Sequence, residues 1–163
     1  MCKIIFDLDL TLVDSSIAEE ARRERNWPLV YSLIPRFKLY DGMQEVFDYL
    51  RKSEIDAAIV STAPTTYVRK VIDHFSIPVQ TIIGYHDAPR KPSPDGMIKA
   101  MDEMDATPEE MISFGDRAID IIASKAAGIM SVGCLWGTKE SALLLASGPD
   151  LVLNSPGEII GLC

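Results

Sequence analysis

The sequence predicts an α/β fold, a Rossmann-like doubly wound three-layer sandwich with a mostly parallel sheet. Two observations carry this prediction. Short apolar runs of strand length alternate with segments of helical periodicity, which is typical of parallel sheets whose strands are joined by helices. The length of 163 residues also fits one domain with a sizeable core.

Six apolar runs have the length and composition of strands. They cover residues 3–9, 57–62, 81–85, 111–116, 130–136 and 150–153. We predict helices between them, because apolar residues recur there at helical spacing. The apolar faces comprise Met43, Val46, Phe47 and Leu50; Val68, Val71, Ile72 and Phe75; Met97, Ile98 and Met101; and Ile119, Ile122, Ala123 and Ala126.

Capping signals mark some of the helix ends. Asp41 with Gln44, and Thr107 with Glu110, have the spacing of capping boxes, in which two side chains satisfy the free amides of a helix start. Gly128 follows the fourth apolar face and is predicted to end that helix.

Residues 15–40 interrupt the alternation between the first strand and the first regular helix. They carry five basic residues against three acidic ones, in a chain whose net charge is −8. We therefore predict a single domain over residues 1–163, with residues 15–40 as a minimal helical cap insertion over the site.

The bulk properties exclude some classes of partner and location. The net charge of −8 argues against binding of nucleic acid or of a membrane surface, and no apolar stretch reaches the length of a membrane span. Cys2, Cys134 and Cys163 lie far apart without metal-ligand spacing, so we expect free thiols and a cytoplasmic location.

Polar residues stand at the carboxyl ends of four predicted strands. Asp7 and Asp9 end the first, where the period-two alternation of strand side chains projects both from the same side, and their two like charges require a cation or a shared proton if they are buried. Ser61 and Thr62 end the second strand, Lys91 follows the third, and Asp116 with Asp120 follows the fourth. Carboxyl ends of parallel strands form the ligand-binding edge of such sheets. Carboxylates, a lysine and a hydroxyl at one edge predict a site for Mg²⁺ and a phosphate group.

These segments resemble the motifs of the haloacid dehalogenase-like hydrolase superfamily, in particular its phosphoglycolate-phosphatase-like branch. The resemblance rests on the segments DLDLTLVD at 7–14, IVST at 59–62, KPSPD at 91–95 and GDRAID at 115–120. It covers the chain apart from residues 15–40. The family implies the predicted fold and a Mg²⁺-dependent phosphatase.

The resemblance also implies the roles of the reacting groups. Asp7 is the expected nucleophile, which forms an aspartyl-phosphate, and Asp9 is the expected general acid and base. Mg²⁺ is expected on the Asp7 carboxylate, the Asp9 backbone carbonyl and Asp116. Because Asp9 supplies a proton, which a halide leaving group does not need, dehalogenation is not expected.

The remaining motif residues have expected binding and supporting roles. Thr62 and Lys91, with Ser61 beside them, are expected to hold the phosphoryl oxygens. Asp120 is expected to hydrogen-bond metal-bound water or to orient Lys91, and Thr11 is expected to fix the loop.

The short insertion leaves the substrate open. Arg22, Arg23 and Trp27 are candidate contacts for an anionic or planar substrate, and the alternative is a solvated helix face with a buried tryptophan. Close relatives usually carry a larger cap. The short insertion therefore leaves two possibilities open: the substrate is a larger or exposed phosphate ester, or another subunit closes the site.

The sequence allows several functions on this fold. The favoured one is a phosphatase for a small phosphorylated metabolite or nucleotide, acting as a monomer or homodimer. The alternatives are a phosphomutase, a phospho-acceptor regulatory domain resembling receiver domains, and a non-catalytic binding module. A mutase needs its intermediate shielded from water, and a receiver domain carries its acceptor well inside the chain.

Overall fold

The computed structural model describes all 163 residues and is built around one six-stranded parallel sheet. In chain order the strands are β1 (Lys3–Phe6), β2 (Val13–Asp14), β3 (Lys38–Leu39), β4 (Ala57–Val60), β5 (Thr81–Ile83), β6 (Met111–Gly115), β7 (Met130–Cys134) and β8 (Leu151–Leu153). The large sheet has the order β5-β4-β1-β6-β7-β8, and all of its neighbours are parallel. β1 lies between β4 and β6, so the chain leaves β1 near the middle of the carboxyl edge of the sheet.

Helices cover both faces of the sheet. They are α1 (Glu19–Arg23), α2 (Trp27–Leu33), α3 (Met43–Lys52), α4 (Thr65–Phe75), α5 (Asp95–Glu103), α6 (Ala118–Ala126) and α7 (Ser141–Ala146), with short 3-10 turns at Ser16–Ala18, Ile34–Arg36, Pro108–Glu110 and Pro156–Ile159. No helix has both the length and the apolar character that crossing a membrane requires.

The two faces of β1 belong to two separate apolar cores. Ile4 and Phe6 join the larger core with α3 and α4, whereas Ile5 joins the smaller core with α5. This division follows from the period-two alternation of strand side chains. The predicted three-layer α/β class is therefore confirmed.

The first strand ends earlier than the prediction. β1 stops at Phe6, and the chain then turns, with the Leu12 amide donating to the Leu8 carbonyl at 2.9 Å and Leu10 at a φ of 64°. Asp7 and Asp9 therefore lie just beyond β1 and not within it, and the turn follows Asp9. Both residues still line one cavity.

Two helix predictions are also corrected. Gly42, with a φ of 89°, occupies the start of α3 without a side-chain cap, so the capping box predicted for Asp41 and Gln44 is wrong; the Gln44 amide donates to Asp48 instead. On α6 the buried apolar residues are Ile121 and Ala123, while the predicted Ile122 is 46% exposed. The capping box of Thr107 and Glu110 is present.

Residues 15–40 form a compact segment of mixed structure. They contain α1, α2 and β3, and β3 pairs antiparallel with β2. Val30 and Phe37 are buried in the larger core, so the segment packs against the sheet domain.

The cysteine prediction is wrong for two of the three residues. Cys2 and Cys163 form a disulfide across a sequence separation of 161, with Cα atoms 5.4 Å apart. Cys134 alone is a free thiol, and it is buried. The spacing of the cysteines does not indicate this pair, because only the folded chain brings Cys2 and Cys163 together.

Candidate active site

The carboxyl edge of the sheet carries Asp7 at its centre. The Asp7 amide donates to the Phe114 carbonyl at 2.9 Å, so the backbone of Asp7 continues the β1–β6 ladder by one residue. Asp116 follows β6, the neighbouring strand, directly after Gly115. The two carboxylates therefore reach the same edge from adjacent strands, as the sequence predicts.

Lys91 lies buried between two of the acids. Its ammonium nitrogen donates to Asp7 Oδ1 at 3.0 Å, to Asp120 Oδ1 at 2.5 Å and to the Val60 carbonyl at 2.9 Å. Burial alone lowers the pKa of a lysine, but the carboxylates of Asp120 and Asp7 outweigh burial and raise the pKa of Lys91 above its ordinary value. The side chain is therefore a fixed positive charge that uses all three of its donors.

Three carboxylates converge beside this lysine. Ligand oxygens of Asp7, Asp116 and Asp120 lie within 4.8 Å of one another. Burial, followed by the charges of Asp7 and Asp120, raises the pKa of Asp116, and burial also raises the pKa of Asp7 despite Lys91. One lysine does not balance three acids, so the cluster attracts a further cation. Oxygen-only ligands of this kind fit Mg²⁺.

Asp116 and Asp120 are held by neighbouring polar groups. The Thr11 hydroxyl donates to Asp116 Oδ1 at 3.0 Å, and the Thr138 hydroxyl donates to the Asp116 carbonyl at 2.6 Å. The Arg117 amide donates to Asp120 Oδ2 at 3.0 Å. Gly115 makes this packing possible, since a Cβ there would lie 2.3 Å from the Cβ of Asp120.

Asp9 faces a different set of partners. Its Oδ1 atom accepts hydrogen bonds from the Ser15 hydroxyl at 2.6 Å and the Tyr67 hydroxyl at 2.6 Å, and it lies 2.5 Å from Arg22 Nη1. Burial and the nearby Asp9 charge raise the pKa of Tyr67, which keeps its hydroxyl a donor. The Asp9 side chain is not part of the three-carboxylate cluster.

Of the two hydroxyls after β4, only one lines the cavity above the acids. Thr62 forms part of that wall. Ser61 is 7% exposed and lies outside it, and its hydroxyl accepts a hydrogen bond from the Ala63 amide at 3.0 Å. Thr62 is thus the better placed of the pair for a bound phosphoryl group.

The insertion forms the opposite wall of the same cavity, which has a volume of about 670 Å³. The side chain of Arg22 is 16% exposed, whereas that of Arg23 is 73% exposed. The Trp27 ring packs 5.8 Å from the Tyr67 ring. The solvated-face alternative therefore fits Arg23 and does not fit Arg22.

Some site residues were not singled out from the sequence. Tyr67 lies on the buried face of α4, and a buried tyrosine usually has a hydrogen-bond partner for its hydroxyl, which was the available signal. Lys139, which also lines the cavity, lies outside every motif. Arg90 and Arg117 line it as well; they adjoin or belong to the segments at 91–95 and 115–120, but no role was expected for them.

Comparison with known proteins places this geometry in a family. A family model described as haloacid dehalogenase-like hydrolase matches residues 30–134, which is more than half of the chain. The chain belongs to the haloacid dehalogenase-like hydrolase family. The matched segment contains Thr62, Lys91, Asp116 and Asp120 and begins after Asp7 and Asp9.

Curated relatives match a longer stretch of the chain than the family model does. The chain is 28% identical to a phosphoglycolate phosphatase of Pseudomonas putida over 128 residues, which are 77% of this chain and 47% of the relative. A phosphoglycolate phosphatase of Salmonella typhi is 28% identical over 125 residues, or 75% of this chain and 50% of that protein. The chain thus spans about half the length of the curated relatives it matches.

Solved structures of other proteins share the fold. A hydrolase of this family from Streptococcus pneumoniae has a TM-score of 0.81 at 22% identity, covering 98% of this chain and 97% of the other. CbbY from Rhodobacter sphaeroides, solved in complex with phosphate, has a TM-score of 0.81 at 20% identity, covering 99% and 98%. At this level of identity the likeness bears on the fold alone.

Proposed function

We propose that this chain is a Mg²⁺-dependent phosphatase that hydrolyses phosphate monoesters through an aspartyl-phosphate on Asp7. The observation that carries the proposal is the contact of Lys91 with both Asp7 and Asp120 beside Asp116, at the floor of an open cavity. A nucleophilic carboxylate, a fixed cation and a group of oxygen ligands are the parts that phosphoryl transfer requires.

The first half of the reaction forms the covalent intermediate. A carboxylate oxygen of Asp7 attacks the phosphorus atom, and the bond from phosphorus to the ester oxygen breaks. Asp9, which lines the cavity with Asp7, gives its proton to the departing oxygen, so an alcohol leaves and Asp9 becomes a carboxylate.

The second half returns the enzyme to its starting state. A water oxygen attacks the phosphorus of the aspartyl-phosphate, and Asp9 takes one proton from that water. The bond between phosphorus and the Asp7 oxygen breaks, which releases inorganic phosphate and restores the Asp7 carboxylate and the Asp9 acid.

The surrounding residues hold the phosphoryl group. Lys91 and Thr62 line the cavity beside Asp7, and in this proposal the charge of Lys91 and the hydroxyl of Thr62 stabilise the negative charge that develops on the phosphoryl oxygens. Thr11 orients Asp116, and Asp120 orients Lys91, which is one of the two roles expected for it.

The acid cluster fits a bound Mg²⁺. Carboxylates of Asp7 and Asp116, with the Asp9 backbone carbonyl, would hold the ion. When bound, Mg²⁺ lowers the repulsion between an anionic nucleophile and an anionic ester.

The substrate that we propose is a small phosphorylated metabolite or nucleotide. The cavity of about 670 Å³ is the size of a small-molecule site, and its wall is rich in arginine. The names of the curated relatives, phosphoglycolate phosphatases, point to the same class of phosphate monoester.

The test is release of inorganic phosphate from 4-nitrophenyl phosphate with and without Mg²⁺. The Asp7→Asn variant should lose activity by about a thousandfold or more, because the amide is not a nucleophile. Asp48→Asn is the matched control, since Asp48 is exposed on α3 and does not line the cavity. Unchanged turnover in a folded Asp7→Asn variant contradicts the mechanism, and a stable phosphoprotein without phosphate release points to the phospho-acceptor alternative.

A further inference from the structure

The carboxylate of Asp9 is held entirely by one of its two oxygens. The hydroxyls of Ser15 and Tyr67 and the guanidinium of Arg22 all contact Oδ1, at 2.6, 2.6 and 2.5 Å. The other oxygen, Oδ2, has no hydrogen-bond partner from the protein, although the side chain is only 17% exposed. Three contacts on one atom fix the rotation of the carboxylate and leave Oδ2 free at the cavity.

The three donors come from two separate parts of the chain. Tyr67 lies on α4 and is completely buried in the sheet domain, whereas Ser15 and Arg22 belong to the insertion. The guanidinium carbon of Arg22 lies 5.8 Å from the centre of the Tyr67 ring, and Trp27 packs against the same ring. The insertion therefore docks onto the group that carries the proton, as well as onto the sheet.

Stability alone does not explain the position of Arg22. Its Nε atom is buried without a hydrogen-bond partner, and an unsatisfied buried donor is unfavourable for folding. The side chain of Arg23, the next residue in the chain, is 73% exposed. The unfavourable burial of the Arg22 Nε atom is explained if the contact between Arg22 and Asp9 serves the reaction.

We propose that Tyr67 and Arg22 are positioning residues for proton transfer, which hold Asp9 by Oδ1 so that Oδ2 exchanges the proton with the ester oxygen and then with water. This inference rests on the proposed phosphatase function. The Arg22 cation also stabilises the carboxylate that Asp9 becomes once its proton has moved to the leaving group. The insertion thus takes part in catalysis through α1, in addition to any contact with substrate.

Dependence on the leaving group separates this role from a structural one. An alkoxide such as that of benzyl phosphate departs only when it is protonated, whereas 4-nitrophenolate departs without a proton. Values of kcat/KM report on the steps up to departure of that group, so hydrolysis of the shared intermediate does not enter the comparison. Weakened proton transfer therefore lowers kcat/KM for benzyl phosphate far more than for 4-nitrophenyl phosphate.

The variants are Tyr67→Phe, which removes one hydroxyl and keeps the ring, and Arg22→Met, which removes the cation. Each should lower kcat/KM for benzyl phosphate by about tenfold or more, and for 4-nitrophenyl phosphate by about twofold at most. Arg22→Lys should recover part of the loss. Tyr49→Phe and Arg51→Met are matched controls, because both residues lie on α3 outside the cavity.

A double variant tests whether the effect passes through Asp9. Asp9→Asn should show the same substrate pattern more strongly, and adding Tyr67→Phe to it should cause no further loss. Equal losses on both esters, or no loss in either variant, overturn the positioning role even if the wild type is an Asp7-dependent phosphatase. If the wild type releases phosphate from neither ester, the proposed function fails and this inference falls with it.

Discussion

The floor of the cavity is made by strand ends, and the opposite wall is made by residues 15–40. On the floor, Lys91 is 5% exposed and Asp116 is 1% exposed, and each has several hydrogen bonds. On the insertion wall, Arg23 is exposed and its nearest acid, Glu19, lies 3.6 Å away at the surface. One side is a fixed arrangement of buried charges, and the other is mostly solvated.

This difference separates two tasks. Buried, mutually bonded charges keep one geometry, which suits a reaction that depends on atom positions. Exposed arginines adopt many rotamers and are weakly held, which suits contact with the variable part of a substrate. Asp9 is the point where the two regions meet, because Tyr67 holds it from one side and Arg22 from the other.

The largest expected effect follows from removing the cation of the floor. Lys91→Met leaves the carboxylates of Asp7 and Asp120 buried without their partner, so unfolding free energy should fall by about 3–5 kcal/mol. Phosphatase activity should fall by about a hundredfold or more, because the transition state loses a charge contact. Chemical denaturation without divalent ions and phosphate release measure the two effects.

A second substitution shows whether charge is the cause. The double variant Lys91→Met, Asp120→Asn removes one of the two unpaired carboxylates. Part of the lost unfolding free energy should therefore return, while the activity stays low. If Lys91→Met is as stable as the wild type, the paired charges do not stabilise the cavity floor. That result would contradict the difference we describe between the floor and the insertion wall.

A smaller effect of opposite sign is expected at Asp116. Because burial raises the pKa of Asp116 to about 9, folding of the metal-free protein at neutral pH takes up a proton at this carboxyl, and that uptake lowers the stability. Asp116→Asn should therefore be more stable than the wild type by about 1–3 kcal/mol without Mg²⁺. The same variant should lose both its stabilisation by Mg²⁺ and its activity.

The pH dependence of this difference has a definite sign. A group whose folded pKa is raised binds more protons when folded, so wild-type stability falls as the pH rises above the unfolded value of 3.8 toward the folded pKa. The advantage of Asp116→Asn should thus vanish below about pH 4 and grow toward neutral pH. Thermal unfolding at several pH values, with a chelator present, measures it; an advantage that does not vary with pH would contradict the assignment.

The smallest effect is expected on the insertion wall. Arg23→Ala should raise the KM for the natural phosphate ester by about threefold to tenfold, as the loss of one exposed charge contact does. Turnover of 4-nitrophenyl phosphate should stay the same, and unfolding free energy should change by less than about 0.5 kcal/mol. An equal loss on both substrates would instead indicate a structural role for Arg23 and contradict its contact with the variable part of the substrate.

The sequence predicts the floor of the site better than the wall. Asp7, Lys91 and Asp116 each follow a strand, and parallel strands bring such residues together whatever the details of packing. The fold class follows from the same alternation of strands and helices. The strand ends themselves are less well predicted, since β1 stops three residues before the predicted limit.

The partners of Asp9 could not be read from the sequence. Arg22 and its neighbour Arg23 look alike in the chain, and only the orientation of α1 buries one and exposes the other. Tyr67 lies 58 residues from Asp9, and its contact depends on the packing of α4 against the sheet. Contacts of this kind depend on tertiary geometry, which local periodicity does not specify.

The disulfide between Cys2 and Cys163 turns nearly the whole chain into a covalent ring. A single cut by a protease anywhere between these cysteines therefore opens the ring without releasing a fragment. The two pieces separate only after reduction. A loop at the rim of the cavity, such as that around Arg90, can thus be cleaved once while strands on both sides of the cut stay in one molecule.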